Sequence, residues 1–565
     1  MVVVVLSVSL VLYSCGKKKV GENTDWAYYG NDLGNMRYSA LDQINDKSIK
    51  DLSVAWQKDL EPKEAYECTP IVVGGTMYVT TPLGPKYVYA LNAKTGEELW
   101  KVDLGVPQDY AKYACCGLVN RAPSYGNGKV FVGRLDGKLT ALDAKTGKEV
   151  WTVTVIDYKS GAVITSPPLV VGNKVVTGHG GGEYGTGSRI SAYDSETGKE
   201  LWLSYTVPQD DKNVTDTWKG ESFKTGGSAP WLVGSYDKET NTIFWGTSNP
   251  SPWNATLRGD DPGKNGEITH KNLYSSSTLA LDAETGKIKW HYQKTPFDAW
   301  DYDGVNEKLL ATIKINGVDT KVVMEADRNG FFYVNNRADG KLISADPYVK
   351  TTWAKSVDIA TGMPVEDPMF RTTTKVKELT DKERVWPSFV GGKNWEATSF
   401  NPNTGLVYIP ANNLGMTFKI SDATYDRGNF YLGAGWTMIG EEGKPGEFIA
   451  WDPVNRKKAW SVNLKYPMPG GSVTTKGNLV FFGDLTGMFY AYNAMTGDKV
   501  WEYKTESGVV AAPMTYQIDG VQYVAVIEGR MNVMAGFIGG ELGEEILKAT
   551  PAGGKVNVFA LKTGK

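Results

Sequence analysis

The sequence predicts an all-β fold built as a radial array of four-stranded sheets, and three observations predict it. The 565 residues include 64 Gly, 18 Trp and 30 Tyr, a composition suited to many tight turns packed with aromatic side chains rather than to long helices. Five segments are close copies of one another: ALNAKTGEELW ending at Trp100, ALDAKTGKEVW at Trp151, AYDSETGKELW at Trp202, ALDAETGKIKW at Trp290 and AYNAMTGDKVW at Trp501. The first three end 51 residues apart, at positions 100, 151 and 202, the spacing of a repeated small sheet. A sixth copy, AWDPVNRKKAW ending at Trp460, is degraded, and VFALKTGK at the carboxyl end is cut short.

Each copy reads as one β-hairpin: a strand, a turn whose Asp or Asn caps its own backbone and whose Gly supplies positive φ, then a second strand ending in Trp. Counting strand groups predicts sheets near 71–100, 130–151, 174–202, 231–290, 322–343, 396–460, 478–501 and 509–562, eight in all. The last is expected to borrow a strand from around 52–58, which closes the ring and leaves no edge open. Insertions at 251–274, 346–384 and 415–446 are too long for hairpin turns and are expected to stack over one face, walling a site.

Composition bounds the function. Hydrophobic residues at 41% and charged residues at 22% describe a folded chain large enough for an extensive core. A formal charge of -3 gives no electrostatic reason to bind nucleic acid. His179, His270 and His291 lie far apart with no Cys pair at ligand spacing, and no Cys-x-x-Cys-His occurs, which argues against zinc and c-type haem. Residues 2–13 form an apolar run too short to span a bilayer and suited to a signal-peptide core, although no Lys or Arg precedes it. Leu12-Tyr13-Ser14-Cys15-Gly16 resembles a bacterial lipobox. The expectation is a leader over 1–15, a tether over 16–24 carrying Lys17-Lys18-Lys19, and a folded domain over 25–565 in the periplasm. A plain secretory signal and an anchor through Cys15 both remain open.

Several residues carry possible chemistry. In Trp300-Asp301-Tyr302-Asp303, two carboxylates two residues apart in extended chain would point the same way, toward one hard cation or one reacting proton; a pair of turn carboxylates is the plainer alternative. Adjacent Cys115 and Cys116 could bridge through a strained ring, pair with Cys68 or Cys15, or stay reduced. Glu183 sits behind His179-Gly180-Gly181-Gly182, where glycines let backbone approach something flat or charged, or else it is a solvated turn glutamate. Taken singly, Trp231 reads as core, Asn249 as a turn start before Pro250, and Arg121 as an ordinary surface arginine.

Together, the periodic A-x-[DN]-x-x-T-G-x-x-x-W hairpins resemble the tryptophan-docking motifs of the pyrroloquinoline quinone (PQQ) dehydrogenases, over roughly residues 25–562. The resemblance implies an eight-bladed β-propeller with tryptophan-docking motifs. It implies a disulfide between Cys115 and Cys116 lying over the quinone plane, Trp231 stacked on the other side, and Glu67, Arg121, Thr165, Gly181, Gly182, Arg328 and Asn394 as further cofactor contacts. Glu183, Asn249, Asp301 and Asp303 match metal ligands, with Asp301 the general base that takes the alcohol proton while hydride passes to the quinone, assisted by Arg328. The family's serine three residues before that Glu is Gly180 here, and Pro469 stands where its alcohol dehydrogenases commonly have Trp. Calcium enzymes of the family have a small neutral residue at the second position of the Asp pair; this chain has Asp303, as the lanthanide enzymes do. Three carboxylates suit a cation of higher charge than calcium, so a lanthanide is favoured and calcium is the alternative.

The expected function is oxidation of a primary alcohol such as methanol or ethanol, with electrons leaving to a separate cytochrome c and the chain forming a homodimer. A non-catalytic propeller scaffold of the outer-membrane assembly type shares the repeats and the lipobox. It gives no reason for Cys115, Cys116, Glu183, Asn249, Asp301 and Asp303 to coincide. A PQQ-dependent sugar or polyol dehydrogenase is disfavoured because the adjacent-cysteine disc belongs to the alcohol branch.

Overall fold

Every repeat folds as a hairpin because its turn carries its own caps. In the first, Tyr87–Asn92 pairs antiparallel with Glu98–Asp103. Asn92 Oδ1 accepts from the amides of Lys94 at 2.9 Å and Thr95 at 3.2 Å, and Gly96 takes φ +77°. Asp143, Asp194, Asp282 and Asn493 repeat the arrangement at the equivalent turns. The backbone is therefore turned by residues within a five-residue window.

The computed structural model describes residues 24–562. The leader, Cys15 and nearly all of the tether lie outside the described residues. Among the described residues, eight sheets of at least four strands, antiparallel but for one added strand, follow one another. The first comprises Ile71–Val73, Thr76–Thr80, Tyr87–Asn92 and Glu98–Asp103. In the last, Leu52–Glu64 pairs with Gly553–Leu561, which pairs in turn with Val521–Glu528, so the two ends of the described chain share one sheet as the borrowed strand requires. The seventh sheet gains a fifth strand that the sequence reading lacked: Tyr38–Ser39 lies parallel to Val473–Thr475.

Several sheets start earlier than the strand count implied. Ser124–Gly126, Leu169–Val171 and Val473–Thr475 precede the expected starts at 130, 174 and 478. Strands of three residues are too short to display a period of two, and the last two are buried on both faces.

Several tryptophans bond across neighbouring sheets. Trp100 Nε1 donates to Ala144 O at 3.2 Å, Trp151 to Ser195 O at 3.1 Å, Trp202 to Ala283 O at 3.1 Å and Trp460 to Ala494 O at 3.2 Å. Trp501 reaches Leu52 O at 3.3 Å and Trp56 reaches Ala93 O at 3.1 Å, so the series runs from the seventh sheet through the last and on to the first. The indoles cover turn glycines: a Cβ on Gly147 would stand 2.8 Å from Trp100 Cε3.

The insertions have structure of their own. Residues 346–384 include the hairpin of Ala354–Val357 with Pro364–Glu366. Glu378–Leu379, Leu414–Ile420 and Ala434–Gly440 make a three-stranded sheet. The stretch 509–562, read as strands, instead holds two helices, Val533–Ile538 and Gly540–Ala549, between the strands of the last sheet. Trp436 Nε1 donates to Phe537 O at 3.2 Å and ties helix to insertion sheet. Among the described residues, no helix is long and apolar enough to cross a membrane.

Candidate active site

A cavity of about 290 Å³ opens where the loops between sheets meet the insertions. Its deepest chemistry is the turn at 298–304. Asp298 accepts from the amide of Trp300 at 2.9 Å and of Tyr302 at 2.7 Å, which bends the chain so that Asp301 takes φ +63° and Asp303 φ +52°. The expectation of extended backbone here is corrected: both aspartates are left-handed, a conformation that non-glycine residues adopt only when the surroundings hold them. They still face one group. The buried Arg328 guanidinium bonds Asp301 Oδ2 through Nη2 at 3.1 Å, Asp303 Oδ2 through Nη1, and the carbonyl of Phe389.

Both Asp303 oxygens already accept, Oδ1 from Asn249 N at 2.6 Å and Oδ2 from Trp231 Nε1 at 3.0 Å, which leaves only their remaining lone pairs for a cation. Asp301 differs: its Oδ1 and the Oδ1 of Asn249 are buried with no donor. Buried oxygens without a donor leave a place for a partner such as a water or an ion. Burial pushes the Asp301 carboxyl well above the usual carboxylate range; Arg328 opposes this, and Asp303 and Glu183 add to it. Glu183 lines the cavity and its carboxyl is pushed up to about 7, first by desolvation and then by Asp303. Burial works against the Arg328 charge, but Asp303 and Asp301 outweigh it and keep the guanidinium protonated.

Among the described residues, no three His, Cys, Asp or Glu side chains stand together in metal-ligating geometry. An amide oxygen is outside that set. The donors on offer are all oxygen, namely Asn249 Oδ1, Asp301 Oδ1 and the Glu183 carboxylate, which fits a hard cation. A Cβ on Gly182 would lie 3.4 Å from Asn249 Oδ1 and 2.8 Å from Ser248 Oγ, so the glycine next to Glu183 lets that amide close in.

The opposite wall suits a flat anionic group. Cys115 and Cys116 form a disulfide that lines the cavity. Arg121 pairs with Glu67 at 3.0 Å, donates to Thr165 Oγ1 at 2.7 Å, and lies 5.2 Å from the ring centroids of both Trp231 and Trp395. Gly181 has φ +107°, and a Cβ there would meet Gly161 O at 2.7 Å. Asn394 Nδ2 donates to Val390 O at 2.8 Å at the rim. Cys68 is a buried free thiol bonded by Thr80 at 3.3 Å, away from the disulfide.

The structure brings Glu67, Cys115, Cys116, Arg121, Thr165, Gly181, Glu183, Trp231, Asp301, Arg328 and Asn394 to the cavity wall. Gly182, Asn249 and Asp303 do not line it; they stand immediately behind it, as the bonds above describe. Sequence reasoning missed the apolar mouth. Trp253, Phe389, Trp436 and Phe537 pack edge to face or tilted, with Phe389 4.7 Å from Trp436 and 5.5 Å from Phe537. Pro469 does not line the wall, which takes Trp253 and Trp436 from insertions, Phe537 from the helix Val533–Ile538, and Phe389. The spacing of Met531, Met534, Ala535 and Ile538 was a usable helical signal for one part of it.

The chain matches the family described as "Glucose/ethanol/alcohol dehydrogenase, beta-propeller domain" over residues 26–346 and 443–524. The fold and this site thus define an oxidoreductase class, and the chain belongs to the PQQ-dependent quinoprotein alcohol dehydrogenase family. Among its relatives, the quinoprotein alcohol dehydrogenase PedH of Pseudomonas putida is 41% identical, spanning 94% of this chain and 90% of that protein. The lanthanide-dependent methanol dehydrogenase of Methylacidiphilum fumariolicum is 38% identical over 96% of this chain and 93% of its own length. A solved europium-containing methanol dehydrogenase superposes with TM-score 0.89 at 37% identity, covering 95% of this chain and 98% of that one.

Proposed function

We propose that this chain oxidises a primary alcohol to the aldehyde, with PQQ between the Cys115–Cys116 disulfide and Trp231 and a cation held by Glu183, Asn249, Asp301 and Asp303. The observation that carries the reading is the pair of buried, donorless oxygens, Asp301 Oδ1 and Asn249 Oδ1, beside a cavity walled by a disulfide and an arginine clamp. Bound there, PQQ supplies a two-electron acceptor and the cation a Lewis acid. Asp301 accepts the hydroxyl proton of the alcohol, a role for which its donorless Oδ1 at the cavity is placed. Arg328 fixes the Asp301 carboxylate from the side away from its free oxygen. Arg121 and Thr165 hold an anionic edge of the cofactor, a task for which the guanidinium fork is suited. Trp253, Phe389, Trp436 and Phe537 keep water out.

Three acidic side chains favour a trivalent lanthanide over calcium. In the same reading the eight sheets are eight blades of one domain over 25–565, docked by the tryptophans that cap neighbouring turns. The protein is exported, with an anchor at Cys15 or free in the periplasm, forms a homodimer, and passes electrons singly to a cytochrome c.

The test is dye-linked alcohol oxidation after reconstituting metal-free protein with PQQ and either lanthanum or calcium. Activity with lanthanum that vanishes in Asp303→Ala and drops about 100-fold or more in Asp301→Asn supports the assignment. Undiminished activity with lanthanum in the Asp303→Ala variant would remove Asp303 from the ligand set, and failure of the parent to bind PQQ under any condition would favour the scaffold.

A further inference from the structure

Behind the 298–304 turn lies a charge cluster that the proposed reaction does not use. Lys294 follows the strand Ile288–Gln293 of the fourth sheet, and Lys308 precedes Leu309–Ile315 of the fifth, so the two lysines bracket the loop that carries Asp301 and Asp303. Both side chains are essentially sealed from solvent, 1% and 0% exposed. Both donate to the same backbone atom: Lys308 Nζ to Gly304 O at 2.8 Å and Lys294 Nζ at 3.2 Å. One carboxylate bonds both. Glu325 receives Lys294 on Oε2 and Lys308 on Oε1, each at 2.7 Å. Asp327 stands 3.5 Å from Lys294, and Lys308 adds a bond to Asn306 O.

We propose that Lys294 and Lys308 are positioning residues for the catalytic turn, holding the Gly304–Val305 peptide by its carbonyl, and through it the cation-binding and proton-accepting oxygens of Asp301 and Asp303, in one orientation. The inference rests on the functional reading above. A buried pair of ammonium groups is costly unless paired and hydrogen-bonded, and two of them on one carbonyl exceed what a solvent-inaccessible loop needs for satisfaction. The turn they hold is the strained one, with non-glycine residues left-handed at 301 and 303. Asp298 grips its amides from one side and the lysines grip its carbonyl from the other. The strand end Val318–Ala326 and its continuation then act on the loop twice: Glu325 from behind through the lysines, Arg328 from the front through both aspartates. A displaced Gly304 carbonyl would rotate the Asp303 side chain away from Arg328, Trp231 and the amide of Asn249 together.

The test uses the full chain, comparing the parent with the charge-balanced double variant Lys308→Met/Glu325→Gln and with Lys294→Gln, which leaves the Lys308–Glu325 pair intact. Terbium(III) luminescence, sensitised by the neighbouring tryptophans, reads cation affinity without turnover; PQQ binding, kcat and KM are measured alongside, and melting temperature reports folding. Positioning predicts a loss of about tenfold in terbium affinity and in kcat for the double variant, a smaller loss for Lys294→Gln, and PQQ affinity and alcohol KM within about twofold of the parent. A folded variant with terbium affinity and kcat within twofold of the parent would overturn it. So would parallel losses in every readout that track the melting temperature, which mark a purely structural cluster; should the double variant not fold, Lys294→Gln decides by the same criteria. Failure of the parent itself to bind terbium or PQQ would sink the functional reading and this inference together.

Discussion

His179 is buried in its neutral form by two bonds of opposite sense: its Nδ1 lies 2.7 Å from Gly180 O, and Nε2 accepts from Arg189 N at 3.2 Å. Burial, the largest influence, lowers its pKa from 6.5 to about 4. In the unfolded chain the imidazole takes up a proton below 6.5 while the folded one does not until about 4. Stability therefore rises with pH across that window; the contribution is complete above about 6.5 and is lost as pH falls toward 4. Its full size is about 3 kcal/mol as an upper bound. Urea midpoints followed from pH 8 to pH 4 should fall less steeply in His179→Gln than in the parent. A variant whose acid limb matches the parent would show that His179 is charged in the fold. At the same scale, Glu183 and Asp301 are both pushed up by burial, yet only Asp301 bonds Arg328 directly.

At the scale of elements, the hairpin turn and the indole that covers it form one unit. Gly147 has φ +71° and would place a Cβ 2.8 Å from Trp100 Cε3, whereas Gly172 has φ +60° with nothing within 4 Å. The two positions separate backbone strain from crowding. Gly172→Ala should cost about 1 kcal/mol from the left-handed backbone alone, and Gly147→Ala about 2–4 kcal/mol because the indole must also move. Urea unfolding of the two variants checks it: equal losses would mean that the indole yields freely and that the tryptophan contact carries little energy. The turn that opens each of these hairpins was legible without any structure, since Asn92, Asp143 and their equivalents act on amides two and three residues ahead. The helices Val533–Ile538 and Gly540–Ala549 were not seen, because a strong repeat on both sides invited a strand reading across them.

For the whole molecule, the ends of the chain matter most. Gly553–Leu561 lies between Leu52–Glu64 and Val521–Glu528, so it joins the first part of the described chain to the last. A chain ending at Ala552 exposes two unpaired edges at once. Size-exclusion chromatography should find it aggregated, and a synthetic peptide of residues 553–562 present during refolding should restore monodisperse protein. A soluble, cooperatively melting truncated chain would show that ring closure is dispensable for folding.

By itself the sequence determined the all-β class, the hairpin units and the strand that joins the two ends, because turn caps, positive-φ glycines and strand periods act within a few residues. Of the site motifs, only the adjacent Cys115-Cys116 stood out locally; Asp301-x-Asp303, Glu183 and Asn249 alone read as ordinary turn residues, and only the resemblance joined them. Only the tertiary structure decided that Arg328 straddles both aspartates, that Asp301 Oδ1 and Asn249 Oδ1 are left without donors, that Phe537 meets Trp436 at the mouth, and that Lys294 and Lys308 converge on Gly304. Those relations join residues from different sheets and insertions. Their geometry follows from how the sheets pack on one another, and no local pattern of side chains contains that information.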